Sequence, residues 1–211
     1  MDLNREELEK LCSVRDELSN REMLDFLLVI TSCRPACLIM DPEDGELDLI
    51  ESFCKDLDFE TSLFHDKGSS MLGSKGLFIY RDKSRFHLIE NSFGRFYGLD
   101  DRDVGDFLGF PEEDIMYFHD QIKESPVEPE TREKIDSMKK EGLLTSDEAK
   151  IVGLVSYVPK PSQKAVLRAL ESSKSYLESI DRFDEQNGTE FGKNIVESFL
   201  GVTVESLQDL V

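Results

Sequence analysis

Three cationic side chains lie close together in a chain that is otherwise strongly acidic. Arg81, Lys83 and Arg85 follow an apolar run, whereas the whole sequence of 211 residues carries a net charge of −20. Between residues 75 and 102, six basic and four acidic residues give a local charge of +2. Backbone N–H groups at the start of a helix would add to this charge. The pattern predicts an anion-binding corner at residues 81–85, and pairing of these cations with the chain's abundant carboxylates is the alternative.

The four cysteines offer thiol chemistry or metal ligation. Cys33 and Cys37 form a C-x3-C pair ahead of a predicted strand, and Cys12 and Cys54 occupy apolar positions of predicted helices. Zinc sites use closer spacings and a second cysteine pair, so we expect these four residues to bind no metal. Cys33 is the candidate catalytic nucleophile, because the charge of the adjacent Arg34 would favour its thiolate.

A histidine and a carboxylate form the other pair with chemical potential. His87 and Glu90 are three residues apart on one predicted helix face and can chelate one ion, which makes them weak candidates for a metal-assisted hydrolase. His65 and His119 each precede an aspartate, and we expect all three histidines to cap helices or lie on the surface. The sequence contains no serine nucleophile elbow, no dinucleotide-binding glycine fingerprint and no H-E-x-x-H motif. We therefore expect neither a metal nor a cofactor.

The apolar run at residues 76–80 is the element that must position the three cations. Its β-forming residues predict a strand buried on both faces. A helix capped by Asp82 or Ser84 should follow and end near Gly98. A second short helix should stop at Gly109 before a proline opens the next one, so the Phe-Leu-Gly-Phe-Pro segment predicts a tight corner between helices.

Three further strands are predicted, at residues 36–40, 60–64 and 151–158. The first two enclose an amphipathic helix, which is typical of a βαβ unit with a right-handed crossover. The link at residues 65–75 is too short for another parallel crossover, so the strands on either side of it should form an antiparallel hairpin.

Capping residues and apolar spacing predict the remaining helices. Asn4 with Glu7 forms a capping box, and Asn20 should cap a second, strongly apolar helix. A polar helix at 129–140 and a long one at 161–180 follow later in the chain.

These elements amount to an α/β or α+β fold, with a small mixed sheet of about four strands covered by about seven helices. The length suffices for one large core, so we expect a single domain over residues 1–211. Residues 65–75 should form a mobile loop, and residues 124–130 a connector rich in proline and glutamate. The tail at 202–211 should either dock back as one more turn or bind a partner.

Composition narrows the classes of function. With 45 acidic against 25 basic residues, the surface should repel nucleic acid and anionic membranes, since phosphate binding needs clustered Lys and Arg. The sequence contains neither an apolar run long enough to span a membrane nor the pattern of a secretory signal. We therefore expect a soluble cytoplasmic protein with reduced cysteines. The acidity is typical of halophilic archaeal proteins, and an ordinary acidic cytosolic protein is the alternative.

Three short motifs resemble those of uncharacterised prokaryotic protein families, archaeal and clostridial. They are Ser32-Cys33-Arg34-Pro35-Ala36, a strand ending in Tyr80-Arg81, and Val104-Gly105-Asp106-Phe107-Leu108-Gly109-Phe110-Pro111-Glu112-Glu113-Asp114. In one such family, mainly clostridial, the last motif contains Phe-Leu-Gly-Tyr-Pro followed by an acidic pair. The match covers about a third of the chain. The resemblance implies that Cys33 and the 104–114 corner belong to a shared design, and it carries over no catalytic residue because these families have no established activity.

Two functions remain open. The favoured one is a non-enzymatic binding or regulatory protein whose 81–85 corner receives a small anionic ligand or a protein partner. Such a protein could also form a homodimer. The alternative is a small cytosolic enzyme that uses Cys33, or His87 and Glu90, in a cleft at the strand ends.

Overall fold

The computed structural model describes residues 1–65, 75–90, 101–121 and 127–210. The chain divides into two compact units, Met1–Gly109 and Phe110–Val211, and each has its own buried apolar side chains. The single domain expected above stays a prediction. Most of the expected mobile loop, the end of the helix expected after Ser84 and the first part of the expected connector lie outside the described residues.

Unit 1, Met1–Gly109, combines a small sheet with helices. In chain order its elements are α1 (Arg5–Glu17), α2 (Asn20–Ile30), β1 (Ala36–Met40), α3 (Asp44–Asp56), β2 (Glu60–His65), β3 (Lys75–Tyr80), a 3-10 turn (Lys83–Phe86), α4 (His87–Glu90) and α5 (Asp101–Leu108).

The sheet has the order β1-β3-β2, and both of its pairings are antiparallel. Ala36 of β1 and Glu60 of β2 both lie opposite Tyr80, so β3 is the central strand. The predicted hairpin of β2 and β3 is confirmed. The β1-α3-β2 segment is a split βαβ unit, because β3 lies between two strands that run parallel to each other. The prediction of a mixed sheet was therefore wrong, since no two parallel strands are neighbours in the part of the chain that the structure describes.

Helix starts in unit 1 follow local hydrogen bonding. The Asn4 side chain accepts the Glu7 N–H at 3.0 Å, and the Glu7 carboxylate accepts the Asn4 N–H at 2.7 Å, which confirms the capping box of α1. Ser19, rather than Asn20, caps α2, and it does so in a second capping box with Glu22. Such boxes satisfy N–H groups that the first helical turn leaves unpaired.

Unit 2, Phe110–Val211, is helical throughout its described elements. They are α6 (Glu112–Gln121), α7 (Val127–Lys140), α8 (Ser146–Ile151), a 3-10 turn (Val152–Leu154), α9 (Gln163–Asn187), α10 (Phe191–Leu200) and a final 3-10 turn (Leu207–Leu210). The tail docks back, because Leu207 and Leu210 are buried and their turn contacts α9. Since α7 begins at Val127, the end of the expected connector is helical.

The strand predicted at residues 151–158 was wrong. Ile151 is the last residue of α8, and the next three residues form the 3-10 turn that packs on α9. The capping box of Thr145 with Glu148 starts a helix just ahead of this apolar run. Short apolar runs suit a buried helix as well as a strand, so burial without β-pairing satisfies the same pattern.

The described residues thus form a mixed α/β fold that is mostly helical. Ten α-helices and three strands lie within them, against the predicted seven and four. Of the helices in this described part, none is long and apolar enough to be a membrane span.

Candidate functional site

The end of β3 brings the predicted cations beside two other segments of unit 1. Because Ala36 and Glu60 both pair with Tyr80, the residues that follow Tyr80 lie next to those that precede β1 and β2. The loop before β1 carries Cys33. Cys33 and Arg81, which belong to different functional hypotheses, therefore lie at the same end of the sheet.

Arg81 is held in place by neutral groups. Its Nη1 donates to the Ser32 hydroxyl at 2.8 Å, and its Nη2 donates to the Ile30 carbonyl at 3.3 Å. The guanidinium carbon lies 4.6 Å from the centroid of the Phe59 ring, which is a cation–π contact. Burial lowers the pKa of Arg81, but an arginine remains charged at neutral pH. Among the described residues, Arg81 has no ion-pair partner.

Lys83 is paired with a carboxylate of the neighbouring strand. Its Nζ lies 2.7 Å from Oε1 of Glu60, the first residue of β2. This hydrogen bond raises the pKa of Lys83, and the charge of Asp58 adds to the effect. For this residue the structure shows the carboxylate pairing that was the alternative to anion binding.

Arg85 binds the end of a helix. Its Nε and Nη2 donate to the Phe107 carbonyl at 3.2 and 3.0 Å, and Nη2 also donates to the Asp106 carbonyl. The last carbonyls of a helix lack partners within it and carry partial negative charge. Arg85 therefore satisfies the carboxyl end of α5.

The helix start at this corner is already occupied by a carboxylate. Asp82 accepts the Ser84 N–H at 2.9 Å and caps the 3-10 turn. Hydrogen bonds from the Ser84 side chain and backbone lower the pKa of Asp82, so its carboxylate is ionised at neutral pH. The Ser84 N–H is thus taken by the chain's own Asp82, contrary to the expectation that such groups would add to the site.

The sequence suggested that the charge of Arg34 would act on the Cys33 thiol, but the structure pairs Arg34 with a carboxylate. Cys33 is half-buried, but the Arg34 side chain is only 4% exposed and its Nη1 lies 2.9 Å from Oδ1 of Asp25. Arg34, whose charge was the reason for naming Cys33 as a candidate, is therefore paired with a carboxylate. Cys37 and Cys54 are buried, and burial raises the pKa of both thiols.

His87 and Glu90 lie together on α4 without a third ligand among the described residues. The His87 Nδ1 contacts the Ser84 carbonyl, and the Glu90 side chain is exposed. Within the part of the chain that the structure describes, no group of three or more His, Cys, Asp or Glu residues is placed to hold a metal ion.

The three motifs behind the family resemblance contact one another. Gly109 has φ +78°, and a Cβ atom built on it would lie 2.6 Å from Cγ of Pro35. Phe107, two residues earlier, packs edge-on against Phe78 and Tyr80 with ring centroids 5.1 and 5.3 Å apart. Glycine at 109 therefore lets the end of α5 approach the loop before β1.

Unit 2 contains a buried ion pair that the sequence analysis missed. Asp114 is 1% exposed, accepts the Lys160 N–H at 2.8 Å and lies 2.5 Å from Nη2 of Arg168, which also pairs with Glu113. Burial raises the pKa of Asp114 against the opposing effect of these contacts. The cluster ties α6 to α9. No local pattern indicated it, because Asp114 and Arg168 are 54 residues apart.

Comparisons of the chain with models of known protein families, with curated proteins and with solved structures found no match. The resemblance described above stays a prediction.

Proposed function

We propose that this is a non-enzymatic binding or regulatory protein in which Arg81 receives an anionic group of a small ligand or of a protein partner. The supporting observation is that Arg81 is exposed, is held by neutral oxygens and the Phe59 ring, and has no ion-pair partner within the described residues. The chain as a whole carries 45 acidic against 25 basic residues. A guanidinium that is already fixed loses little conformational freedom when it binds a carboxylate.

This proposal assigns anion binding to only one of the three cations in the predicted 81–85 corner. Lys83 and Arg85 carry positive charge, but one is paired with Glu60 and the other binds the end of α5. We assign the anion contact to Arg81, with the Ser32 hydroxyl as the adjacent polar group. From composition, we further propose a cytoplasmic location and expect no nucleic-acid partner.

The alternative of a small cytosolic enzyme has less support. Arg34, which was expected to activate Cys33, pairs with Asp25. His87 and Glu90 have no third ligand in the described part of the chain. A thiol mechanism keeps one favourable feature, which is that Cys33 lies at the same sheet end as Arg81.

Thermal unfolding with and without an added anion tests the proposal, because a ligand that binds only the folded state raises the melting temperature. Sodium benzoate is compared with sodium chloride at one ionic strength, for the wild type and for Arg81→Ala. Arg5→Ala is the matched control, since Arg5 is an exposed arginine that pairs with Glu9 on α1.

We expect benzoate to raise the melting temperature of the wild type and of Arg5→Ala, and not that of Arg81→Ala. If Arg81→Ala does not fold, Arg81→Lys replaces it, and the rise should shrink because lysine lacks the planar fork of donors. An equal rise in the wild type and the Arg81 variant, or no rise in the wild type, contradicts the proposal.

A further inference from the structure

We infer that Met1 is an oxidation site that regulates the Arg81 corner, because its sulfoxide places a strong hydrogen-bond acceptor against the guanidinium. The inference rests on the proposed function and specifies how anion binding at Arg81 is controlled.

The Met1 thioether is in direct contact with Arg81. Its Sδ lies 3.8 Å from Nη2, and this contact is exposed to solvent. The other partners are oxygens, because Nη2 also donates to the Ile30 carbonyl at 3.3 Å and Nη1 donates to the Ser32 hydroxyl at 2.8 Å. A thioether sulfur is a weak acceptor. Of the three partners, the sulfur is therefore the one that an incoming carboxylate displaces most easily.

The position of Met1 also makes its sulfur accessible to an oxidant. Met1 is 38% exposed, whereas Met23 and Met138 are buried. Hydrogen peroxide can transfer an oxygen atom to the exposed sulfur, so that an S–O bond forms as the O–O bond breaks. The sulfur is oxidised, the peroxide is reduced, and water is released. The product is methionine sulfoxide, a polar side chain that methionine sulfoxide reductases convert back to methionine.

Oxidation changes what a ligand has to displace from Arg81. The sulfoxide oxygen accepts from the guanidinium in a charge-assisted hydrogen bond, which is stronger than a contact to a thioether. Arg81 keeps its charge, but one of its N–H donors is then held by the chain itself. An anion that uses this donor must break the new hydrogen bond, so oxidised Met1 lowers the affinity of the corner for anions.

The test compares the wild type with Met1→Leu and Met116→Leu. Met116 is the matched control, because it is 36% exposed and lies on α6 of unit 2. Met1→Leu is released from a cleavable fusion. Each protein is treated with hydrogen peroxide and then with dithiothreitol, which reverses disulfides and sulfenic acids but leaves the sulfoxide. All three proteins share the same cysteines, so any remaining effect of cysteine oxidation appears in Met1→Leu as well. Peptide mass mapping locates the added oxygen.

Two readouts are taken before and after oxidation. They are the Nε–Hε resonance of Arg81 in proton–nitrogen NMR spectra and the dissociation constant of benzoate from titration calorimetry. Oxidation should shift the resonance and raise the dissociation constant at least about threefold in the wild type and in Met116→Leu. Neither should change in Met1→Leu. If that variant does not fold, reversal of both effects by methionine sulfoxide reductases takes its place.

The inference is overturned if Met1 is not oxidised in the folded protein, or if its oxidation leaves the Arg81 resonance unmoved. It is also overturned if benzoate binds equally well before and after oxidation, and the proposed function then stands. Failure of the unoxidised protein to bind benzoate overturns the proposed function itself, and the Arg81 resonance still reports whether the sulfoxide contacts the guanidinium.

Discussion

Gly109 combines a left-handed backbone with a close neighbour. Its φ is +78°, and a Cβ atom there would lie 2.6 Å from Cγ of Pro35. Gly142, which follows α7, has a similar φ of +73°, but none of the described residues lies within 4 Å of its hypothetical Cβ atom. A comparison of alanine substitutions at these two glycines therefore separates the energetic cost of backbone strain from that of steric contact.

We predict that Gly109→Ala lowers the free energy of unfolding by about 3 kcal/mol or more, because left-handed strain costs about 1–2 kcal/mol and the clash with Pro35 adds to it. Gly142→Ala should lose only the strain contribution, about 1–2 kcal/mol. Urea denaturation followed by circular dichroism measures both. A loss in Gly109→Ala no larger than that in Gly142→Ala would show that the approach to Pro35 is unimportant.

Partners that are distant in sequence decide what each cation of the 81–85 corner does. The cluster itself could be predicted, because it is a local excess of positive charge. The separate roles of the three cations could not be predicted, because Glu60 and Phe107 are more than twenty residues from the cations that they hold. Arg81 remained the candidate only because Ser32 and Phe59, also distant in sequence, are neutral.

At the scale of elements, one carboxylate organises the junction of α9 and α10. Asp184 is 6% exposed and accepts hydrogen bonds from the Thr189 hydroxyl, the Gly192 N–H and the Lys193 N–H at 2.9, 2.9 and 2.8 Å. The two N–H groups belong to the first turn of α10, where helical partners are lacking. Asp184, a residue of α9, therefore caps the amino end of α10.

We predict that Asp184→Ala costs about 3 kcal/mol of unfolding free energy, because it leaves buried donors without an acceptor. Glu185→Ala, one residue later on the exposed side of α9, should change it by less than about 0.5 kcal/mol. Guanidinium denaturation of both variants provides the comparison. Similar losses in the two would mean that Asp184 does not hold α10.

The start of α8 should give the protein a measurable pH dependence. Hydrogen bonds from the Thr145 backbone and the Lys174 side chain lower the pKa of Glu148 from 4.5. A carboxylate with a lowered folded-state pKa stabilises the fold above its unfolded pKa, and this contribution is lost as the pH falls through the folded pKa.

Glu148→Gln should therefore lose about 0.5–1 kcal/mol at pH 7, because the charge on a part-exposed pair disappears while glutamine still completes the capping box. The difference from the wild type should be smaller at about pH 3, because this pH lies below the unfolded pKa and the contribution is lost as the pH falls through the folded pKa. Denaturation at both pH values tests this. A loss of equal size at pH 7 and pH 3 would rule out an ionic contribution.

Strands and helix caps were predictable where the signal is local. The apolar runs that form β1 and β3, and the two partners of the Asn4 capping box, each lie within a few consecutive residues. The run at residues 151–158 has the same apolar character, but it packs on α9, which begins only at Gln163. Burial against a later helix, rather than propensity, decides its conformation.

For the whole molecule, the net charge of −20 implies self-repulsion in the folded state. Raising KCl from about 0.1 M to about 1 M shortens the Debye length from about 10 Å to about 3 Å, so we predict a higher melting temperature at pH 7. The rise should shrink at about pH 5, where more carboxylates are protonated. A melting temperature that is unchanged or lower in 1 M KCl at pH 7 would contradict this view of the charge.

The most direct test of the anion-binding role is the Nε–Hε resonance of Arg81 in proton–nitrogen NMR spectra of the full chain. This resonance is assigned by its loss in Arg81→Lys and is followed while benzoate is added at constant ionic strength. We expect a saturable shift at Arg81 and unmoved resonances for Arg5 and Arg85, since one is an exposed residue that pairs with Glu9 and the other is bound to the carbonyls of α5. No shift at Arg81, or an equal shift at all three arginines, would contradict a specific anion site at this corner.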